Sequence, residues 1–219
     1  MPVFNELKTI ERIVATVLVQ PCVAELVIVD DFSTDGTRPL LQRMATQDGR
    51  IRLVLHESNK GKGAAVHTAI AALQAPLAII QDADLEYDPA EYSALVAPIL
   101  EGKADAVFGS RFIGGKAHRV LYFWHMVGNK MLTLLSNMFT NLNLTDMECC
   151  YKVFLSEKLK AMQLSEAGFG IEPELAARSA RMGLRIYEVG VSYSGRTYAE
   201  GKKITWKDGV RAVWAIIKT

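Results

Sequence analysis

Leu77-Ala78-Ile79-Ile80-Gln81-Asp82-Ala83-Asp84-Leu85-Glu86-Tyr87-Asp88-Pro89 is an apolar run that ends in two carboxylates. Leu77–Ile80 has the composition of a buried strand, and Asp82 and Asp84 then lie at its carboxyl end. Near-continuous apolar strands belong to parallel sheets covered on both faces. Hard divalent cations that hold diphosphates are bound by one or two such carboxylates. Taken alone, Asp82 and Asp84 read more readily as caps of a helix that begins near Pro89.

The surroundings of this stretch alternate between two periodicities. Met1–Phe4 is a short apolar start, and Leu7, Ile10, Ile13, Val14, Val17 and Leu18 recur at helical spacing. Strand-like runs follow at Glu25–Val29, Ile51–Leu55 and Ala104–Phe108. Helical patterns cover Thr37–Ala45, Ala64–Leu73 and Ala90–Leu100. This order predicts an α/β fold, a Rossmann-like, mostly parallel sheet with helices on both faces. The later part differs. It holds a long helical stretch at Leu121–Leu142 and a strand at Tyr151–Leu155. A helix with Pro first follows at Pro173–Met182, then two short strands within Arg185–Tyr193. A closing amphipathic helix, Trp206–Ile217, has Trp206, Val210, Val213, Trp214 and Ile217 on one face. We read one domain, residues 1–219, with halves at 1–115 and 116–219 and no linker between them.

Bulk properties narrow the classes. The formal charge of +1 gives no field for nucleic acid, and half of the 219 residues are hydrophobic. No run reaches the roughly 20 apolar residues of a membrane span. The N-terminus has no basic-then-apolar leader pattern, so the expected compartment is the cytoplasm. Cys22, Cys149 and Cys150 have no zinc spacing and read as buried thiols.

In open α/β sheets ligands bind outside the carboxyl ends of the strands. Polar clusters fall at those ends. Pro2-Val3-Phe4-Asn5-Glu6 combines a ring for a base with an acceptor for a ribose hydroxyl, or is a strand end followed by an Asn cap. In Asp30-Asp31-Phe32-Ser33-Thr34-Asp35-Gly36-Thr37, Asp31 can accept the N–H groups of a nucleobase, and the rest is a helix-capping turn. Asn59-Lys60-Gly61-Lys62-Gly63-Ala64 is a basic turn at a helix N-terminus, suited to an anion or to close backbone packing. Arg111 follows the strand at 104–108 in Gly109-Ser110-Arg111-Phe112, and Asp146 lies in a turn-like Thr145-Asp146-Met147-Glu148. The acids of Phe169–Glu174 suit a helix N-terminus.

These segments, in this order, resemble family 2 glycosyltransferases of the GT-A fold, and among them the dolichyl- and polyprenyl-phosphate mannose or glucose synthases. The resemblance covers nearly the whole chain. It implies a nucleotide-sugar-binding half over 1–115 and an acceptor-side half of helices and short strands over 116–219. By position it places Pro2, Phe4, Glu6 and Asp31 at the donor nucleoside. Asp82, Ala83 and Asp84 become the Asp-x-Asp segment at the diphosphate. Asp82, Asp84 and, as an added ligand, Glu86 would hold Mg²⁺ or Mn²⁺. Arg111, Arg196 and Lys202 would contact phosphate, the last two in a loop that reads Ala199-Glu200-Gly201-Lys202 where the family has Gly-Glu-Ser-Lys, which leaves Lys202 and Lys203 as alternatives. Asp84, Asp146 and Arg111 form the expected catalytic set.

Two departures stand out. No arginine lies two to three residues before Asn129, in His125-Met126-Val127-Gly128-Asn129, so Arg119 or His125 would have to replace one found in some relatives, and the first strand is short. The implied reaction is inverting transfer of a hexose from a GDP- or UDP-sugar to a polyprenyl phosphate. A phosphate acceptor needs no general base; a hydroxyl acceptor would use Asp146. The expected partners are the donor, a lipid phosphate and a membrane surface or membrane subunit, met peripherally through Leu121–Leu142 and Trp206–Ile217 unless both helices pack on the core or on another chain, with a homo-oligomer compatible. A nucleotidyltransferase lacks support because its Gly-rich basic loop after strand one is missing. A non-catalytic partner would have no need of Asp82, Asp84 and Arg111.

Overall fold

A computed structural model describes residues 1–120, 122–197, 200 and 206–218, with the side chains of 206–208 outside the description. The first half alternates as expected: β1 (Pro2–Val3), α1 (Ile10–Leu18), β2 (Leu26–Asp30), α2 (Thr37–Gln47), β3 (Ile51–Leu55), α3 (Lys62–Ala72) and β4 (Leu77–Ile79). A single 3-10 turn at Pro89–Glu91 leads into α4 (Tyr92–Leu100), then β5 (Ala106–Ser110). The second half is α5 (Phe123–Thr140), β6 (Lys152–Leu155), α6 (Ser156–Ala161), α7 (Ile171–Arg181), β7 (Ile186–Gly190) and α8 (Trp206–Lys218).

Two sheets result. One is parallel in the order β1-β2-β3; the other runs β4-β6-β5-β7. In the second, β6 is antiparallel to β4 and to β5, while β5 and β7 are parallel. The fully buried β2 and β5 are apolar up to their last residues, Asp30 and Ser110. Burial is what demands such runs: each buried aliphatic side chain stabilises by about 1.5–3 kcal/mol. One core cluster joins Ile10, Ile13 and Val14 of α1 to Leu41 of α2 and Leu95 of α4. The other joins Val66 and Ile70 of α3 to Leu159, Leu175 and Ile216 of the later helices.

Several expectations are corrected. The helix expected to begin at Pro173 starts at Ile171, so Pro173 is its third residue, still within the turn where a missing N–H costs nothing. Helix α6 escaped periodicity because it is one and a half turns long. The two short strands expected within 185–193 are one strand plus an isolated bridge from Tyr193 to His118. Asn5 does not cap α1; it takes a positive φ of 51° and its side chain accepts from the Thr34 N–H at 2.8 Å. Cys22 is exposed rather than buried. On α8 the buried residues are Ala212, Ala215 and Ile216, while Val210, Trp214 and Ile217 of the expected apolar face point outward.

The turn before α3 shows why its glycines are needed. A Cβ on Gly63 would stand 2.0 Å from the Glu166 carbonyl oxygen, and one on Gly61 would stand 2.5 Å from that of Ala167, at a φ of 96°. Across this approach the Ala64 N–H donates to the Ala167 carbonyl at 3.0 Å. Gly63→Ala should therefore cost about 2–4 kcal/mol through forced separation of two backbones. Urea unfolding checks it; a loss below about 0.5 kcal/mol would mean that the 165–168 segment gives way freely.

Candidate active site

The Asp-x-Asp segment is fixed from below by Gln81. Its buried amide oxygen accepts from the hydroxyls of Tyr92 (2.6 Å) and Tyr151 (2.8 Å), and its Nε2 donates to the Asp82 carbonyl at 2.9 Å. Capping of the following turn falls to Asp88, whose carboxylate accepts the Ala90 N–H at 2.9 Å. Asp82 and Asp84 are thus not its caps.

Each of these two acids meets a cation. The Lys62 ammonium lies 2.9 Å from Asp82 and 2.7 Å from Glu172. Burial raises the cost of charging Asp82, but Lys62 outweighs it and holds the carboxyl below its ordinary range. Asp84 behaves oppositely. Burial, then the charges of Asp82 and Glu86, push it up to about 7, against the opposing pull of Arg196. Arg196 Nη2 donates to Asp84 at 2.8 Å, its Nε to Glu86 at 3.2 Å, and its Nη1 to Glu6 at 3.4 Å. The 193–196 segment is seated by Glu86 as well: its carboxylate accepts from the Arg196 N–H and the Tyr193 hydroxyl, both at 2.9 Å. Glu6 in turn accepts from the Thr9 hydroxyl, which also donates to the Ala83 carbonyl.

Arg111 and Asp146 form a second unit. Asp146, fully buried, accepts from Arg111 Nε and Nη2, both at 2.7 Å, and from the Arg111 N–H at 2.9 Å. The guanidinium stacks over the Tyr193 ring at 5.1 Å and so adjoins the Arg196 segment. Glu188 of β7 orients the Asp146 loop by accepting the Thr145 N–H at 2.9 Å. Lys152, also fully buried, ties the loop from the other side through the carbonyls of Met147 and Cys149.

Asp31 is occupied by protein partners: the N–H groups of Lys60 and Gly61 donate to it at 2.8 Å each, and His56 Nδ1 lies at 2.7 Å. The basic turn spends its first amides there and its Lys62 on Asp82, so close packing accounts for its composition. Pro2 lies on β1 and Phe4 is half exposed beyond it. Lys202 and Lys203 fall outside the described residues. Of the residues offered as a replacement arginine, Arg119 pairs with Glu200 at 2.8 Å and donates to the Gly195 carbonyl, while His125 stacks on Tyr122.

The structure thus brings together Glu6, Asp84, Glu86, Arg111, Asp146 and Arg196. Sequence reasoning missed the bridge from Lys62 to Glu172. It also missed Glu148, a neighbour of Glu172 in charge, which burial and that charge raise to about 7. Glu148 Oε1 and Glu172 Oε2 are buried without hydrogen-bond partners. The only local signal was an acid next to each turn.

Among the described residues no three His, Cys, Asp or Glu side chains are arranged as a ready metal cage. Two carboxylates around one cation, completed by phosphate oxygens, suffice for ions of the Mg²⁺ type. Asp84 and Glu86 have that arrangement about the Arg196 guanidinium, which stands where a cation would. The all-oxygen donor set fits a hard ion.

Comparison with known proteins agrees with this architecture. The family model for glycosyl transferase family 2 matches residues 1–162. Glycosyltransferase AglJ of Haloferax volcanii is 30% identical over 89% of this chain, which spans 62% of AglJ's length. Undecaprenyl-phosphate mannosyltransferase of Micrococcus luteus is 28% identical over 92% of this chain and 85% of its own. A crystal structure of glucosyl-3-phosphoglycerate synthase from Mycobacterium tuberculosis, with Mn²⁺, UDP and glucosyl-3-phosphoglycerate, superposes with a TM-score of 0.75. It is 23% identical and matches 99% of this chain and 77% of that one, and this likeness bears on fold alone. The chain belongs to glycosyl transferase family 2.

Proposed function

We propose that the protein transfers a hexose from a nucleotide diphosphate sugar to a polyprenyl phosphate, with inversion. The observation that carries this reading is the convergence of Glu6, Asp84 and Glu86 on a single cation at the carboxyl edge of the sheets, beside Arg111. Such a cluster suits a diphosphate with its counter-ion. A relative named for undecaprenyl phosphate and mannose supports the acceptor class.

Asp84, Glu86 and, once Lys62 yields it, Asp82 would hold Mg²⁺ or Mn²⁺, which when bound neutralises the leaving diphosphate. Pro2, Phe4 and Glu6 would border the nucleoside, with Asp31 beneath them reaching it only by sharing its carboxylate with Lys60, Gly61 and His56. Arg196, released from Asp84, would turn to phosphate, and Arg111 would offset the charge of two anions brought together. Asp146 has both oxygens on Arg111, which suits a positioning anchor and favours an acceptor that is already an anion over a hydroxyl that needs a base. Lys202 is proposed as a further phosphate contact.

Arg196→Ala tests the shared cation position. Mn²⁺ binding without nucleotide should tighten about threefold to tenfold by calorimetry, because one competing, partly exposed ion pair is removed. Unchanged affinity would separate the guanidinium from the metal position. The donor itself is tested by a panel of GDP- and UDP-sugars, with and without polyprenyl phosphate. Nucleoside diphosphate release that depends on both metal and lipid phosphate is expected; diphosphate release would instead indicate nucleotidyl transfer.

No helix among the described residues is long and apolar enough to cross a membrane. Helices α5 and α8 pack together, and Trp124 (78% exposed), Met138 (72%) and Trp214 (66%) point outward from them. We assign this face to the bilayer interface, where a lipid acceptor resides. The double substitution Trp124→Glu and Trp214→Glu should cut flotation with anionic liposomes about tenfold; undiminished flotation would remove the face from that role.

A further inference from the structure

Tyr193 touches both units of the candidate site. Its hydroxyl donates to Glu86 Oε2 at 2.9 Å, and its ring centre lies 5.1 Å from the Arg111 guanidinium. The other Glu86 oxygen, Oε1, accepts from the Arg196 N–H at 2.9 Å and from its Nε at 3.2 Å. The two carboxylate oxygens thus have separate partners, a hydroxyl on one and a cationic residue on the other.

Tyr193 has little freedom to follow either neighbour. Its N–H donates to the Ala117 carbonyl at 3.2 Å, and its carbonyl accepts the Arg119 N–H at 2.7 Å. The Tyr87 ring packs on it at 5.2 Å. A hydroxyl pinned in this way restrains the carboxylate it donates to, because turning Glu86 away would leave the hydroxyl without its acceptor. Hydrogen bonds of this kind orient carboxylates that ligate metals. The ring acts on the other unit. Asp146 holds Arg111 edge-on through Nε and Nη2, each at 2.7 Å. That pair leaves the tilt of the guanidinium to other contacts, and an aromatic face attracts and levels it. Phe112, at 5.7 Å, is a more distant second ring.

We propose that Tyr193 is a positioning residue for both halves of the transfer. Its hydroxyl holds Glu86 so that Oε1 is the oxygen given up by Arg196 to a divalent cation. Its ring sets the tilt at which Arg111 meets a phosphate. The proposal rests on the metal and phosphate roles given above to Glu86 and Arg111. A phenylalanine at this place would support Arg111 without restraining Glu86, so the phenol is the group that serves both.

Tyr193→Phe and Tyr193→Leu, each in the whole chain, separate the two parts. Both are titrated by calorimetry with Mn²⁺ in the absence of nucleotide, and with a short-chain polyprenyl phosphate in detergent. Tyr193→Phe should weaken Mn²⁺ binding about tenfold. It should leave lipid phosphate affinity within about twofold and the melting temperature within about 2 °C of the parent. Tyr193→Leu should weaken Mn²⁺ to the same extent and lipid phosphate about threefold to tenfold, since Phe112 remains. In a Glu86→Gln background, Tyr193→Phe should have no further effect on Mn²⁺. A merely structural role would weaken both ligands together in step with the melting temperature, and that pattern would overturn the proposal. So would unchanged Mn²⁺ affinity in Tyr193→Phe, equal lipid phosphate affinity in the two variants, or a parent that fails to bind either ligand. A parent that binds both ligands but moves no sugar to the lipid phosphate would contradict the reaction proposed above. The split between hydroxyl and ring would still support this role of Tyr193.

Discussion

Asp84→Asn should lower turnover with every nucleotide-sugar donor by at least about 10³-fold, the scale of a lost charge aimed at a developing anion. The substitution keeps the volume and one acceptor oxygen, so the structure tolerates it. In the absence of donor, Asp84 is balanced by Arg196 at 2.8 Å and crowded by Asp82 and Glu86, which is why its carboxyl is raised to about 7. An amide removes that crowding, so the variant should be as stable as the parent or more so while losing activity. Steady-state release of nucleoside diphosphate at saturating Mn²⁺, paired with urea unfolding, reads both effects. Metal-dependent transfer within tenfold of the parent would remove Asp84 from the donor site.

Asp146→Ala is expected to be the most destabilising single change. It leaves the Arg111 guanidinium buried with no counter-charge, and breaking such a pair costs about 3–5 kcal/mol. The Arg111 N–H loses its acceptor as well. Asp146→Asn keeps a partial acceptor and should cost less. That second variant separates two roles. If Asp146 positions Arg111, transfer to a lipid phosphate falls modestly and mostly in KM. If it is a base, kcat falls by about 10²–10⁴-fold. A severe kcat loss with a lipid phosphate acceptor, at a temperature where the variant is folded, would contradict the positioning role.

The strands of the first half were legible because buried parallel strands require continuous apolar runs, as in Leu26–Asp30, and because each ends in a polar cluster. The Asp-x-Asp segment was legible for the same reason. What joins those clusters was not. Arg196 reaches Asp84 across 112 positions of sequence and Lys62 reaches Asp82 across 20, and no local spacing encodes either contact. Nothing in the short strand's sequence marks Lys152 as fully buried; the loop carbonyls of Met147 and Cys149 explain it. On α8 helical periodicity marked an apolar stripe but not its direction, since two adjacent faces carry apolar residues and packing on α5 and α7 selects the alanine-rich one.

The central claim is that the carboxylate cluster at the sheet edge drives glycosyl transfer to a phosphate. It is tested most directly by incubating the protein with a donor from the panel, Mn²⁺ and a polyprenyl phosphate, and analysing the lipid product by mass spectrometry and NMR. A hexosyl polyprenyl phosphate with its anomeric configuration inverted relative to the donor is predicted, and its formation should vanish with Asp84→Asn. Sugar recovered only on a hydroxyl, or a product with retained configuration, would contradict the account.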